Sequence, residues 1–295
     1  QEDQARLDLA QLVAEGDRLA FSTDSYVIDP LFFPGGNIGK LAICGTANDV
    51  AVSGAIPRYL SCGFILEEGL PMETLKAVVT SMAETARAAG IAIVTGDTKV
   101  VQRGAVDKLF INTAGMGAIP ANIHWGAQTL TTGDVLLVSG TLGDHGATIL
   151  NLREQLGLDG ELVSDCAVLT PLIQTLRDIP GVKALRDATR GGVNAVVHEF
   201  AAACGCGIEL SEAALPVKPA VRGVCELLGL DALNFANEGK LVIAVERNAA
   251  EQVLAALHSH PLGKDAALIG EVVERKGVRL AGLYGVKRTL DLPHA

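Results

Sequence analysis

The chain has 295 residues, enough for a large core and one or two domains. Its 34 acidic residues outnumber 24 basic ones, for a net charge of −10, and the basic residues form no cluster, so a nucleic-acid partner is not expected. No uncharged apolar run reaches the ~20 residues that a membrane span needs, and no signal-peptide pattern is visible.

The chain opens at Gln1, which reads as a trimmed or processed start, and Glu2 to Gly16 is charged and helix-like. A strand is expected at Arg18–Ser22, inside an apolar run that ends at Asp24. Phe33-Pro-Gly-Gly-Asn-Ile-Gly-Lys40 is one residue short of a P-loop, and Leu41 replaces the Ser/Thr that would bind magnesium. The glycines instead let the chain turn into a helix over Ile38–Ala55, rich in small and apolar residues but carrying Asn48 and Asp49. A carboxylate on an apolar helix needs a partner. A strand follows at Arg58–Leu66. A helix over Met72–Ala89 has Pro71 at its start and Gly90 past its end. Its apolar stripe is Met72, Leu75, Val79, Met82, Ala86 and Ala89.

Next comes Ile91-Ala-Ile-Val-Thr-Gly-Asp-Thr-Lys99, read as a strand over Ala92–Thr95 and a Gly turn presenting Asp97 and Lys99 together. Asp24, Asp49, Asp97 and Lys99 fit a magnesium–phosphate ligand. Mg²⁺ takes one or two carboxylates with phosphate oxygens and waters, and lysine neutralises phosphate. Taken singly, Asp24 and Asp97 read equally well as turn acids.

After a strand at Leu109–Met116, Ile119–Gly133 reads as a linker. The second half is α/β as well. Strands are expected at Asp134–Ser139, Gly207–Leu210, Lys240–Val245 and Ala267–Val273. Helices are expected at Gly146–Leu156, Ser164–Ile179, Gly191–Cys204, Lys218–Leu228 and Ala249–His258. Thr189-Arg-Gly-Gly192 precedes one of these helices. Free N–H groups there attract an anion, while Asp187 or Thr189 could equally cap the helix. Gly143-Asp-His-Gly146 has the same design, with His145 read as structural. Asn237-Glu238-Gly239 is a turn before a strand, where Glu238 would be a solvated acid. His258 and His260 read as surface. The six cysteines, Cys44, Cys62, Cys166, Cys204, Cys206 and Cys225, read as thiols in a reducing compartment, the cytoplasm.

Several segments carry a family resemblance: Ser22-Thr-Asp-Ser-Tyr-Val27, Asn37-Ile-Gly-Lys-Leu-Ala42, Gly45-Thr-Ala-Asn-Asp-Val-Ala-Val-Ser-Gly-Ala55, Thr95-Gly-Asp-Thr-Lys-Val-Val101, Ser139-Gly-Thr-Leu-Gly-Asp-His-Gly146, Asp187-Ala-Thr-Arg-Gly-Gly192 and Asn237-Glu-Gly239. In this order they resemble the HypE carbamoyl dehydratases of hydrogenase maturation. Those belong to the superfamily of aminoimidazole ribonucleotide synthetase and selenophosphate synthetase.

The resemblance implies that superfamily's two-domain fold. Residues 1–120 would form an α+β domain for ATP binding and dimerisation, and residues 121–295 an α/β domain closing the nucleotide cleft. It implies ATP-dependent dehydration of a C-terminal cysteine S-carboxamide to a thiocyanate, the source of the cyanide ligand of [NiFe]-hydrogenase. The implied cofactors are ATP and Mg²⁺, with Asp24, Asp49 and Asp97 on the metal. Asn37, Lys40, Asn48, Lys99, Thr189, Gly191 and Gly192 would lie on the nucleotide, and Lys99 and Glu238 would be catalytic. Implied partners are a second copy of the chain, the carbamoyltransferase HypF and the iron scaffold HypC–HypD. The family's glycine-rich N-terminal segment and its tail ending in Pro-Arg-Ile-Cys have no counterpart here. The sequence stops at Leu292-Pro-His-Ala295, so the substrate-bearing cysteine is expected to lie outside it. Two other readings stay open on the residues: a superfamily kinase or synthetase acting on a free metabolite, and a non-catalytic scaffold.

Overall fold

The computed structural model describes residues 3–158 and 160–292. The first residue of the Glu2–Gly16 segment and the Pro293-His-Ala295 end lie outside them. The chain divides into two compact units, Gln1–Ile123 with Cys166–Thr170, and His124–Asp165 with Pro171–Ala295.

The first unit contains α1 (Leu9–Glu15), β1 (Arg18–Tyr26), β2 (Phe32–Phe33), β3 (Gly36–Asn37), α2 (Ile38–Ala51), β4 (Tyr59–Glu67), α3 (Met72–Ala88), β5 (Ala92–Val101) and β6 (Leu109–Ile119). Its main sheet has the order β1-β6-β4-β5. Helix α2 is buried almost all round, as a helix without a polar face must be. It packs on β1, β6 and α3. A buried hydroxyl cluster ties it to the sheet: Thr46 Oγ1 lies 2.6 Å from Thr113 Oγ1 and 3.0 Å from the Tyr26 hydroxyl. Gly45 permits this approach, since a Cβ there would sit 2.3 Å from that hydroxyl.

Four sequence expectations change in this unit. There is no turn at Gly96: β5 runs on to Val101 as an edge strand, so Asp97 and Lys99 are mid-strand and exposed. Likewise β1 continues past Asp24 to Tyr26. The buried line of α3 is Val78, Met82 and Ala86, whereas Val79 and Met72 are exposed. The spacing 78, 82, 86 keeps one helical face, and Val79 lies off it. Finally, Ser164 to Leu169 is not helical. Side-chain bonds from Asn48 occupy the backbone of the segment instead. The amide Nδ2 donates to Ala167 O at 2.9 Å, and Oδ1 accepts from Leu169 N at 2.8 Å.

The second unit comprises β7 (Val135–Val138), α4 (Asp144–Glu154), α5 (Thr170–Gln174), β8 (Val182–Asp187), α6 (Gly192–Cys204), β9 (Gly207–Ser211), α7 (Pro219–Leu228), β10 (Leu241–Val245), α8 (Ala250–His258), β11 (Ala267–Val273), β12 (Gly277–Ala281) and β13 (Lys287–Thr289). The first residue of α5 belongs to the other unit. The sheet order is β13-β12-β9-β11-β7-β10-β8, antiparallel except for β12 with β9. The runs Val-Leu-Leu-Val in β7 and Leu-Val-Ile-Ala-Val in β10 are wholly buried. They do not alternate because the sheet is covered on both faces. Strands β8, β12 and β13 went unread because charged residues interrupt their apolar pattern, as suits strands at or near an edge. No described helix is long and apolar enough to cross a membrane.

Candidate functional site

In the first unit, β1 and α2 bring two acids to one face. Asp49 accepts the Ser22 hydroxyl at 2.9 Å, so the carboxylate expected to need a partner has one. Asp24 lies two residues along β1 from Ser22, on the same side. It pairs in register with Thr113, whose side chain donates to Ala42 O of α2. Asp24 and Asp49 therefore share the helix-covered face at the β1 edge.

Asp97 and Lys99 do not join them. In register, Asp97 stands opposite Gly63 and Lys99 opposite Ile65, on the uncovered face. Strand β5 is the far edge, three strand spacings or about 14 Å from β1. Among the described residues, no three His, Cys, Asp or Glu side chains are arranged to hold a metal ion. One chain thus offers Asp24 and Asp49 together, with Asp97 and Lys99 on the opposite face and edge.

Three expected nucleotide contacts have other work. Asn37 is the N-cap of α2: its Oδ1 accepts from Gly39 N and Lys40 N, and its Nδ2 donates to Ser81 Oγ. Lys40 Nζ donates to Gly35 O at 3.0 Å. Asn48, 1 % exposed, spends its amide on the extended segment at Ala167 and Leu169. The two amides are engaged within the fold, while the Lys40 ammonium keeps donors beyond its one bond to Gly35 O. An open cavity of about 540 Å³ beside Asn37 runs along the polar side of α3, and neither Asp24 nor Asp49 lines it.

The second unit gathers a charged cluster, buried except for the half-exposed Lys218, around the Asn237-Glu-Gly239 turn. Lys240 Nζ lies 3.1 Å from Asp165 Oδ2 and 3.8 Å from Asp144 Oδ2. Lys218 Nζ reaches Asp144 Oδ1 at 3.2 Å, and the Thr141 hydroxyl donates to Asp144 Oδ2 at 2.5 Å. Two acids meet two lysines, as buried charge requires. The backbone N–H of Glu238 donates to Asp165 Oδ1 at 2.9 Å. Asn237 closes the other side: its Oδ1 accepts Gly143 N at 2.8 Å, and its Nδ2 donates to Ala188 O and Phe235 O. Beside the cluster, His145 Nδ1 lies 2.8 Å from Ser164 Oγ. Burial holds the His145 pKa below its ordinary value, against the opposing pull of Asp165.

Helix α6 runs from Gly192 with Gly191 as its N-cap residue, so the N-cap position itself supplies no side chain. Gly192 has φ +61°, and a Cβ there would meet Leu233 O at 2.4 Å. Its glycine is required for packing against the 233–235 backbone, whatever Thr189 and Gly191 do. Asp144, Asp165, Lys218 and Lys240 were missed in the sequence. The usable signal was Lys240 directly after Asn-Glu-Gly, a charge at the mouth of a strand that is otherwise entirely apolar.

His258 Nε2 lies 2.8 Å from Ala266 O, and His260 Nδ1 accepts from Leu262 N, so both histidines tie local backbone. None of the six cysteines is in a disulfide. Burial pushes the Cys62 thiol up to about 11.

Comparison with known proteins gives a consistent set of likenesses. Residues 1–119 match the model of the AIR synthase related protein N-terminal domain, and residues 131–282 match that of the C-terminal domain. Carbamoyl dehydratase HypE of Rhodobacter capsulatus is 50 % identical over 294 residues, covering 99 % of this chain and 86 % of that protein. A crystal structure of E. coli HypE is 98 % identical with a TM-score of 0.98, covering 100 % of this chain and 92 % of that one. A HypE solved in complex with ATP is 46 % identical with a TM-score of 0.94, covering 100 % and 89 %. The HypE of a HypE–HypF complex is 48 % identical with a TM-score of 0.91, covering 93 % and 90 %.

Proposed function

The chain belongs to the AIR synthase related family and, within it, to the HypE carbamoyl dehydratases. From that premise we propose that it dehydrates a cysteine S-carboxamide to a thiocyanate, using ATP. The observation that carries this reading is the likeness, across all of this chain, to a HypE solved with ATP.

An amide oxygen is a poor leaving group. Transfer of the ATP γ-phosphoryl to that oxygen converts it to phosphate, which departs as the C–O bond breaks. Loss of both nitrogen protons leaves the nitrile, with ADP and phosphate as the other products. The protein's task is then to position the groups and neutralise charge. Glu238, on a turn pinned from both sides, is the candidate base for the nitrogen protons. Thr189 and Gly191 lie at the start of α6, where its first N–H groups would meet a phosphate.

Magnesium would neutralise phosphate charge, and Asp24 and Asp49 fit its need for one or two carboxylates. Asp97 and Lys99 point away from that pair, so we assign them to the nucleotide of a second copy. A homodimer is supported by the uncovered sheet face, where Phe21 is 70 % and Leu19 59 % exposed. The substrate is the carbamoylated cysteine of a C-terminal tail. HypF supplies the carbamoyl group, a partnership supported by likeness to the HypE of a HypE–HypF complex. The product cyanide passes to the HypC–HypD iron scaffold for [NiFe]-hydrogenase, in the cytoplasm.

The test is mass spectrometry of the C-terminal peptide of the full-length protein after carbamoylation. Loss of one water with ATP, and none without it, is expected. An adduct unchanged by ATP overturns the reading.

A further inference from the structure

We propose that Asp165 is a positioning residue for Glu238, holding the turn that carries the base through that residue's own backbone. This rests on the reading of Glu238 given above. Asp165 is buried, its side chain 5 % exposed, and its two oxygens are divided between two tasks. Oδ1 accepts the Glu238 N–H at 2.9 Å, and Oδ2 takes Lys240 Nζ at 3.1 Å. One carboxylate thus anchors the residues on either side of Gly239. Asn237, on the far side of Glu238, is fixed by bonds to Gly143, Ala188 and Phe235.

A carboxylate accepting a backbone N–H makes a charge-assisted bond, stronger than a neutral one. Without it, Glu238 would be joined to Lys240 only through a glycine, the residue with the widest backbone freedom. A catalytic group misplaced by about 1 Å can lose about 100-fold in rate. A carboxylate needed only to neutralise Lys240 has no reason to bond the Glu238 amide. Lys240 also keeps Asp144 at 3.8 Å, so losing Asp165 does not strip it of every acid.

The experiment is single-turnover dehydration by the full-length carbamoylated protein, with ATP affinity measured in parallel. Asp165→Ala is expected to slow water loss by about 10- to 100-fold and leave ATP affinity within about twofold. Asp165→Asn keeps an oxygen for the Glu238 N–H and is expected to recover most of the rate. Asp165→Glu keeps the charge for Lys240 but displaces the oxygens by a methylene, and should stay slow. The reverse order, with Glu rescuing and Asn failing, marks a charge partner only and overturns the proposal. The Asn and Glu variants give the answer even if the Ala variant does not fold. Combining Asp165→Ala with Glu238→Gln should be no slower than Glu238→Gln alone. Full multiplication of the two losses overturns the proposal while leaving the base in place. A wild-type rate in Glu238→Gln alone overturns the reading of Glu238 and this proposal with it.

Discussion

His145 shows how burial sets the chemistry of one side chain. Its Nδ1 lies 2.8 Å from Ser164 Oγ in a site 5 % exposed. Burial disfavours the imidazolium, so its pKa falls below the ordinary 6.5 although Asp165 pulls the other way. The unfolded chain therefore takes up this proton at a higher pH than the folded one. In the window from 6.5 down through the lowered value, the unfolded state binds more protons, and stability falls as pH falls. A neutral residue removes that dependence. The melting temperature of the native protein should drop more between pH 7.5 and 5.5 than that of His145→Asn, read by circular dichroism; equal slopes would refute the assignment.

At the scale of the element, the segment Cys166–Leu169 is the case where local pattern lost to a distant side chain. Its apolar residues suit a helix, yet Asn48, more than a hundred positions earlier, supplies the hydrogen bonds that a helix would have made. Removing that amide orphans a buried N–H and a buried carbonyl, each worth about 1–3 kcal/mol. Asn48→Ala should destabilise the first unit by about 2–4 kcal/mol and speed hydrogen exchange at the Leu169 amide. Unchanged protection there would show that the segment holds itself.

For the molecule as a whole, the decisive fact is the position of β1 and β5 on opposite edges of one sheet. If Asp49 and Lys99 serve the same nucleotide from different copies, each of Asp49→Ala and Lys99→Ala should abolish ATP hydrolysis by itself. Mixed and refolded together, they should recover activity, because a heterodimer keeps one intact site. With random pairing, half the dimers are mixed and carry one site of two, so about a quarter of wild-type turnover is expected. No recovery despite a dimer in light scattering would place both residues on one chain's site. A clean monomer at micromolar concentration would remove the premise.

The sequence by itself determined the elements with strong periodicity or punctuation. Helix α3 sits between Pro71 and the Gly90 turn, and β7 and β10 are fixed by unbroken apolar runs. The sequence also singled out Asp49, an acid in an apolar helix that must find a partner, and the Asn237-Glu-Gly239 turn. Local pattern carries such information because burial acts residue by residue along one element. Only the tertiary structure decided that Asp97 and Lys99 lie in an exposed edge strand, facing away from Asp24 and Asp49. It alone gave Asn37 and Asn48 structural work, and tied the backbone of Glu238 and the side chain of Lys240 to Asp165. Strand order, sheet face and long-range hydrogen bonds join residues up to 121 positions apart, and no local spacing encodes them.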